Sequence, residues 1–381
     1  MKNNGSLISS KETDLIHNAH MKAALNVARR GLGNVWPNPA VGCVIVKDNR
    51  VVGRGWTLPG GRPHAETEAI RRAGRENTRG STVFVTLEPC DHYGQTPPCT
   101  EALIDAGVKK VIIATLDPDK RVAGRGMKRL QEAGISVEVG VAKKEADRIN
   151  RGFFSTVMAS KPLVTLKLAT TLDGKIATKS GESKWITQAH ARRLVHKLRA
   201  CNDAVMIGSG TALADDPLLT TRLSGLISRH KVRIVLDGRL RIPINGKLAQ
   251  TAREVPVLIF TIAGNSEKNK KIKKLERLGV ELVVFKNTEM LLDIKNVISE
   301  ISSRGITRLL IEGGGLVAAS AMVADLVDEI AWFRAPTIMG NDGLPAIGEL
   351  GVPKLEKITQ FSRESFVDLV DDSLEILVRN K

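Results

Sequence analysis

The sequence predicts an α/β protein built as two domains. Three observations carry that reading. At 381 residues the chain exceeds what one hydrophobic core usually serves. Short apolar strands alternate with helical stretches along most of its length. A helix-like segment stopped by a proline, KEADRINRGFFSTVMASKP, separates two such series, so the expected domains are 1–155 and 156–381.

In the first series, DLIHNAHMKAALNVARR spaces Leu15, Ala19, Ala23 and Val27 four apart, predicting an opening helix on which His17 and His20 are surface histidines. WPNPAVGCVIVKDNRVVGRGW then reads as a proline-rich turn followed by a hairpin. HAETEAIRRAG predicts a helix with His64 in its first turn, and STVFVTLEP a strand running into Cys90. PPCTEALIDAG begins a helix with Cys99 in its first turn, and KKVIIATLD, GRGMKRLQEAG and ISVEVG complete the alternation.

In the second series, PLVTLKLATTLDGKIAT reads as a strand, AHARRLVHKLRA as a helix, DAVMIGS as a strand and ADDPLL as a turn. VRIVLDG, VPVLIFT, VELVVFK and RLLIEGGG read as further strands, interleaved with helices at KKLERLG and MLLDIKNVISEI. The last third differs. VDEIAWFRAP, ITQFSRESFVDLV and SLEILVRN are separated by turns, which predicts antiparallel strands finishing the sheet.

Composition narrows the partners. No apolar run reaches the roughly eighteen residues of a membrane span, and MKNNGSLISSKETD lacks the apolar core of a secretory signal, so a cytoplasmic protein is expected. Four cysteines in this length do not make a disulfide framework. The net charge of +16 attracts anions in general. The lysines of SEKNKKIKKLERLG suit one solvated helix face, and an aromatic content of 3% argues against stacking platforms for nucleic acid. Neither a nucleic acid nor a membrane is expected as partner.

The chemistry concentrates at His64, Glu66, Cys90 and Cys99. Three metal-binding side chains with one carboxylate beside them compose a catalytic zinc site, which keeps three protein ligands and leaves a position to water. His-x-Glu followed by Pro-Cys and a second Cys is the pattern of zinc nucleobase deaminases, in which the Glu moves protons and is not a ligand. The usual short spacing between the cysteines is here replaced by eight intervening residues. A structural zinc site would need a fourth ligand, and His92 is the spare candidate. Cys43 and Cys201 read as buried thiols.

In the second domain GSGTAL lacks the last glycine of a dinucleotide fingerprint, which argues against a plain Rossmann fold. LLIEGGGLVAAS runs a buried strand through glycines into a helix, a turn suited to a dinucleotide phosphate or simply a tight connection. Asp215-Asp216-Pro217 is either a paired-carboxylate site or a turn.

With these motifs in place, PNPAVGCVIV, RPHAETEAI, TLEPCDHYGQTPPC, KLATTLDGKIAT, GESKWIT and LADDPLLTTR together resemble the RibD family of bifunctional riboflavin biosynthesis proteins, over nearly the whole chain. The resemblance implies a cytidine-deaminase-like α/β/α domain followed by a dihydrofolate-reductase-like α/β domain. It implies Zn2+ and NADPH as cofactors, a phosphorylated pyrimidine as substrate, and a homo-oligomer. The implied reactions are deamination of 2,5-diamino-6-(5-phosphoribosylamino)pyrimidin-4(3H)-one and reduction of the ribosyl to give 5-amino-6-(5-phosphoribitylamino)uracil. The alternative is a nucleic-acid deaminase of the tRNA type with an accessory binding domain.

By the same resemblance His64, Cys90 and Cys99 hold zinc, Glu66 is catalytic, and Asn38 lies in the deaminase pocket, unless its place between two prolines makes it only a turn residue. Ala169, Trp185, Thr211, Asp215, Gly314, Gly315, Leu316, Val317, Ala318, Ala319 and Ser320 face the nicotinamide cofactor. Ser183, Arg199, Leu219, Arg222 and Glu312 face the substrate, with Arg199 and Arg222 as a phosphate clamp because guanidinium binds phosphate bidentately. Where some relatives carry Lys or Arg in the cysteine loop this chain has Gln95, so that loop is not expected to supply a charged phosphate contact.

Overall fold

A computed structural model describes residues 10–119, 122–226, 231–286 and 292–380. The chain divides into two compact units, Met1–Ala159 and Ser160–Lys381, just beyond the expected position 155.

The first unit holds strands β1 (Gly42–Lys47), β2 (Arg50–Trp56), β3 (Thr82–Val85), β4 (Lys110–Ile113) and β5 (Ser136–Val139) in the order β2-β1-β3-β4-β5. The β1–β2 and β1–β3 pairings are antiparallel, whereas β3–β4 and β4–β5 are parallel. Its helices are α1 (Ser10–Ala28), α2 (Ala65–Ala73), α3 (Arg75–Thr78), α4 (Cys99–Asp105), α5 (Arg125–Glu132) and α6 (Lys143–Ala159). Period-two alternation sorts them into layers. Val44 and Val46 of β1 pack with Met21, Ala24 and Leu25 of α1 and with Ala146 and Ile149 of α6. Cys43 and Ile45 meet Ala65 and Ala69 of α2, Leu103 of α4 and Leu130 of α5 on the other face. Close approach sets the depth of α2, because a Cβ on Gly55 would lie 2.1 Å from the Ala65 carbonyl oxygen. Only glycine there lets the helix that begins after His64 rest on β2.

The second unit is a nine-stranded sheet and a small two-stranded one. Its strands are β6 (Leu163–Thr170), β7 (Lys175–Ala177), β8 (Ala204–Gly208), β9 (Val232–Leu236), β10 (Val257–Ile262), β11 (Glu281–Phe285), β12 (Arg308–Ile311), β13 (Glu329–Arg334), β14 (Leu344–Pro345), β15 (Phe361–Asp368) and β16 (Ser373–Arg379). The helices are α7 (Ala189–Cys201), α8 (Ser209–Asp215), α9 (Lys247–Gln250), α10 (Ser266–Arg277), α11 (Ile294–Ser303) and α12 (Gly315–Val323). The large sheet runs β11-β10-β9-β8-β12-β6-β13-β16-β15. The single strand expected over PLVTLKLATTLDGKIAT breaks into β6 and β7 around a turn at Thr171–Gly174. The expected helix starting at Met290 begins outside the described residues, and α11 is described from Ile294.

Two expectations change. β13 pairs with β16 antiparallel, as expected, and β16 with β15 likewise, but its other edge joins β6 in parallel, so the antiparallel end is grafted onto the parallel sheet at β13. The reason is its burial: Ile330, Ala331 and Phe333 are all buried, as a strand between two neighbours in a covered sheet requires. Second, two lysines of α10 are half-buried and tied to the main chain. Lys268 Nζ donates to the Gly238 carbonyl at 2.7 Å and Lys271 Nζ to that of Leu240 at 2.8 Å. Their apolar stems cover surface while the ammonium groups satisfy carbonyls beyond β9.

Candidate functional sites

His64 is the residue immediately before α2, in extended conformation, instead of lying in the helix's first turn. Its Nδ1 lies 3.3 Å from Cys99 Sγ and 3.6 Å from Cys90 Sγ. Tetrahedral zinc with ordinary Zn–N and Zn–S bonds separates such atoms by about 3.6 Å, so the donor set fits the ion. All three ligand atoms fall within 4.8 Å of one another. His92, the candidate for a fourth ligand, is exposed and outside the cluster.

The loop between the cysteines is closed by its own bonds. Thr100 N donates to the Cys90 carbonyl at 3.2 Å and Thr100 Oγ1 to Asp91 Oδ1 at 2.7 Å. Behind Cys90, the buried Glu88 accepts from the amides of Asp117, Gly124 and Met127 at 3.2, 3.0 and 3.1 Å. A Cβ on Gly126 would stand 2.0 Å from the Pro89 carbonyl oxygen. Helix α5 is thus seated directly against the Pro-Cys step. Sequence reading missed Glu88; its signal was a carboxylate next to an otherwise apolar strand end.

Electrostatics in the pocket follow from burial and contact. The Cys99 thiol beside it pulls Cys90 down to about 4, and the reciprocal contact pushes Cys99 up. Burial raises Glu66 to about 7, opposed by the His64 charge and reinforced by that of Cys90. Burial, then Glu66, pushes Cys43 up, so it stays a neutral thiol behind the site. Asn38 is half-buried, and its side-chain amide lies against Gly61, where a Cβ would be 1.9 Å from Nδ2. It therefore abuts the loop that leads into His64.

His17 and His20 lie on the surface helix half-buried, not fully solvated. Both rings pack on Phe84, with centroids 5.6 and 5.1 Å away, and His17 Nδ1 stands 3.5 Å from Glu138. They fill the α1 side of the sheet.

In the second unit the expected residues gather at the carboxyl ends of β6, β8 and β12. This is where the chain order reverses, since β12 is inserted between strands formed earlier, and such switch points open a crevice for ligands. Ala169 lies half-buried one residue before the end of β6; Glu312 follows β12, and Gly313–Gly314 lead into α12. Gly314 has φ 82°, and a Cβ on Gly313 would stand 3.0 Å from Thr211 Oγ1. The turn therefore keeps its main chain bare, as a diphosphate cradle needs, and Thr211 borders it. Leu316 and Ser320 are exposed, whereas Val317, Ala318 and Ala319 are buried, so only their main chain can meet a ligand.

Trp185 is 65% exposed under the Arg192 guanidinium, 4.6 Å from the ring centroid. Its neighbour Lys184 pairs with Asp215 at 3.2 Å, and Ser183 is half-buried. Asp216 is occupied elsewhere, accepting from the Lys247 amide at 2.8 Å. The two carboxylates are thus not one site.

The two-arginine clamp is also altered. Arg199 pairs bidentately with Glu312, at 2.5 and 2.8 Å, and gives a further N–H to the Thr220 carbonyl. Of the two arginines, only the exposed Arg222 keeps its guanidinium outside such a pair; its amide donates to His196 Nδ1 at 3.4 Å. The Leu219 side chain is buried in the core, which leaves its backbone, at φ 53°, to face a ligand. Lys167, which sequence reading missed, lies in reach of Glu312, Arg199 and Asp215. Burial lowers its pKa, against the pull of Glu312. A lysine inside the otherwise apolar β6 was the available signal.

Comparison with known proteins follows this division. Residues 15–115 match the cytidine and deoxycytidylate deaminase zinc-binding region, and residues 162–367 match the RibD C-terminal domain. The riboflavin biosynthesis protein RibD of Aquifex aeolicus is 40% identical over 353 residues, covering 93% of this chain and 96% of its own. The Escherichia coli protein is 38% identical, covering 92% and 95%. Among solved structures, Acinetobacter baumannii RibD superposes with a TM-score of 0.85 at 35% identity, covering 97% of this chain and 100% of that one. A diaminohydroxyphosphoribosylaminopyrimidine deaminase/5-amino-6-(5-phosphoribosylamino)uracil reductase from Thermotoga maritima gives 0.84 at 34%, with the same coverage. The nucleic-acid deaminase alternative is not favoured, because the second unit matches a reductase family instead of a binding module. A zinc-dependent deaminase half and an NADPH-dependent reductase half, matched along full-length relatives, make this chain a member of the RibD family of bifunctional riboflavin biosynthesis enzymes.

Proposed function

We propose that the chain performs two successive reactions on one phosphorylated pyrimidine. The 2-amino group of 2,5-diamino-6-(5-phosphoribosylamino)pyrimidin-4(3H)-one is hydrolysed off, and the ribosyl is then reduced to ribityl with NADPH. The carrying observation is the buried Glu66, next but one to His64 and within electrostatic reach of the three-donor cluster that suits zinc.

His64, Cys90 and Cys99 would hold the ion, whose Lewis acidity makes water a nucleophile near neutral pH. Glu66 moves the protons. With its carboxyl raised to about 7 it exchanges a proton readily at that pH. It takes a proton from water, gives one to the ring nitrogen beside the amino-bearing carbon, and hands one to the departing ammonia. Water enters, ammonia leaves, and a carbonyl replaces the amine. The Asn38 amide, held against Gly61, reads the pyrimidine edge with one donor and one acceptor.

In the second unit the amides of Gly313–Gly315 and the start of α12 receive the cofactor diphosphate, with Thr211 beside them. NADPH supplies the hydride. Opening the ribosylamine ring gives a C=N bond, and hydride at carbon with a proton at nitrogen gives the ribityl amine. Lys167, on β6 within electrostatic reach of Glu312 and Arg199, is the group we assign to give that proton. Glu312, fixed by Arg199, accepts substrate hydroxyls, and Arg222 meets the phosphate.

The four free cysteines suit a reducing cytoplasm, and among the described residues no helix is long and apolar enough to cross a membrane. A homo-oligomer is supported by β15, the edge strand of the large sheet, with Phe366 57% and Val370 83% exposed beside an open edge. Sedimentation of the native protein checks it; a monomer at micromolar concentration would contradict it. For the function, zinc-loaded protein incubated with the diaminopyrimidinone ribotide should release ammonia, and NADPH oxidation should follow it. If neither occurs, the reading fails.

A further inference from the structure

The loop from Cys90 to Cys99 contains no lysine or arginine. The substrate proposed above nevertheless brings a phosphate dianion to this mouth, where a cation would be needed to hold it. Arg62 stands two residues before His64 and within electrostatic reach of its ring. Its Nη1 donates to Thr96 Oγ1, inside the cysteine loop, at 2.6 Å. Its Nη2 faces Gly94, where a Cβ would lie 3.3 Å away, so the glycine leaves the guanidinium room. Among the described residues the Thr96 bond is the one hydrogen bond that this side chain makes. The preceding Gly61 carries Asn38 against it, so the pyrimidine-reading amide and the guanidinium belong to one continuous rim. Arg129 lies within electrostatic reach of Tyr93 in the same loop.

We propose that Arg62 is the cation that receives the substrate's 5-phosphate at the deaminase pocket, its guanidinium held in place by Thr96. This rests on the deaminase assignment above and deepens it: the charge comes from the approach to His64 and not from the cysteine loop. Two N–H groups of a fork already fixed at one end are presented to the anion, which favours a bidentate contact.

The test compares ammonia release from the phosphorylated substrate and from its dephosphorylated analogue, in native protein, Arg62→Ala, Arg62→Lys and the double variant Arg62→Ala/Gln95→Lys. Zinc content is measured for each. Arg62→Ala should raise KM for the phosphorylated substrate on the order of tenfold or more, while kcat/KM for the analogue shifts by less than about twofold. Arg62→Lys should keep part of the discrimination, and a lysine at 95, next to Thr96, should restore part of it. Equal losses on both substrates would reduce Arg62 to a staple of the loop and overturn the proposal, as would no loss on either. If native protein releases no ammonia from either substrate, the deaminase assignment itself falls, and that result is separate from any difference among variants.

Discussion

The two units make their sites from different materials. In the first, the proposed reactive atoms are side-chain atoms, brought together by two helix starts and by the loop after β3, which ends at Val85 instead of running into Cys90, all between residues 64 and 99. In the second, a glycine turn offers main chain, and the charged groups around it come from β6, α7 and the end of β12, with Arg199 and Glu312 113 residues apart. Metal chemistry demands particular residue types at particular places, whereas a dinucleotide cradle demands the absence of side chains. The first leaves a strong trace in sequence and the second a faint one.

That contrast can be broken most sharply by removing a zinc donor. Cys90→Ala should lose the metal and abolish deamination, yet reduce already deaminated substrate at the native rate, because the glycine turn belongs to the other unit. Metal analysis with separate assays of the two steps checks this. Loss of both activities would mean that the sites are not independent.

A smaller effect is expected from the buried pair in the second unit. Glu312→Gln leaves Arg199, whose side chain is 14% exposed, without its partner and should cost about 3 kcal/mol or more of stability. Arg199→Met should cost a similar amount, and the double variant less than the sum, which a double-mutant cycle in urea would read. Simple additivity would show that the pair is not coupled. Smaller still, Gly314→Ala forces a side chain to φ 82° at a cost of about 1 kcal/mol. It should raise KM for NADPH while leaving ammonia release unchanged; the reverse pattern would contradict the cradle.

The smallest effect concerns pH and the helix that carries Glu66. Arg71, then Arg72, hold the Glu68 carboxyl down to about 2, below the about 4.3 of an unfolded chain. A depressed carboxyl contributes stability that is present above pH of about 4.3 and lost as pH falls through about 2. Glu68→Gln should therefore flatten the acid-unfolding curve of the first unit across that window. Superimposable curves followed by circular dichroism would rule the contribution out.

Much of this was legible in the sequence, for physical reasons that vary by element. His64, Cys90 and Cys99 were legible because zinc accepts few residue types as donors, and the placement of His64 and Cys99 at helix starts could be read from the prolines at 63 and 98. The direction of β13 was not, because apolar alternation gives the faces of a strand and not the sense of its neighbour. The Arg199–Glu312 pair was hidden for the opposite reason: each residue had a plausible ligand role alone, and only the fold shows that they meet. Lys167 and Glu88 went unread because single charged residues in apolar segments carry no spacing signal until the fold reveals what they meet. The lysines of α10 looked solvated because their periodicity was helical, while their long stems reach carbonyls that sequence does not place.

The central claim, two sequential chemistries in separate units of one chain, is tested most directly with Glu66→Gln. Zinc-loaded variant protein should release no ammonia from the diaminopyrimidinone ribotide and oxidise no NADPH with it, yet oxidise NADPH at the native rate when given the deaminated substrate. Native-rate NADPH oxidation with the diamino substrate would contradict the account, because reduction would then not need the first unit to act first.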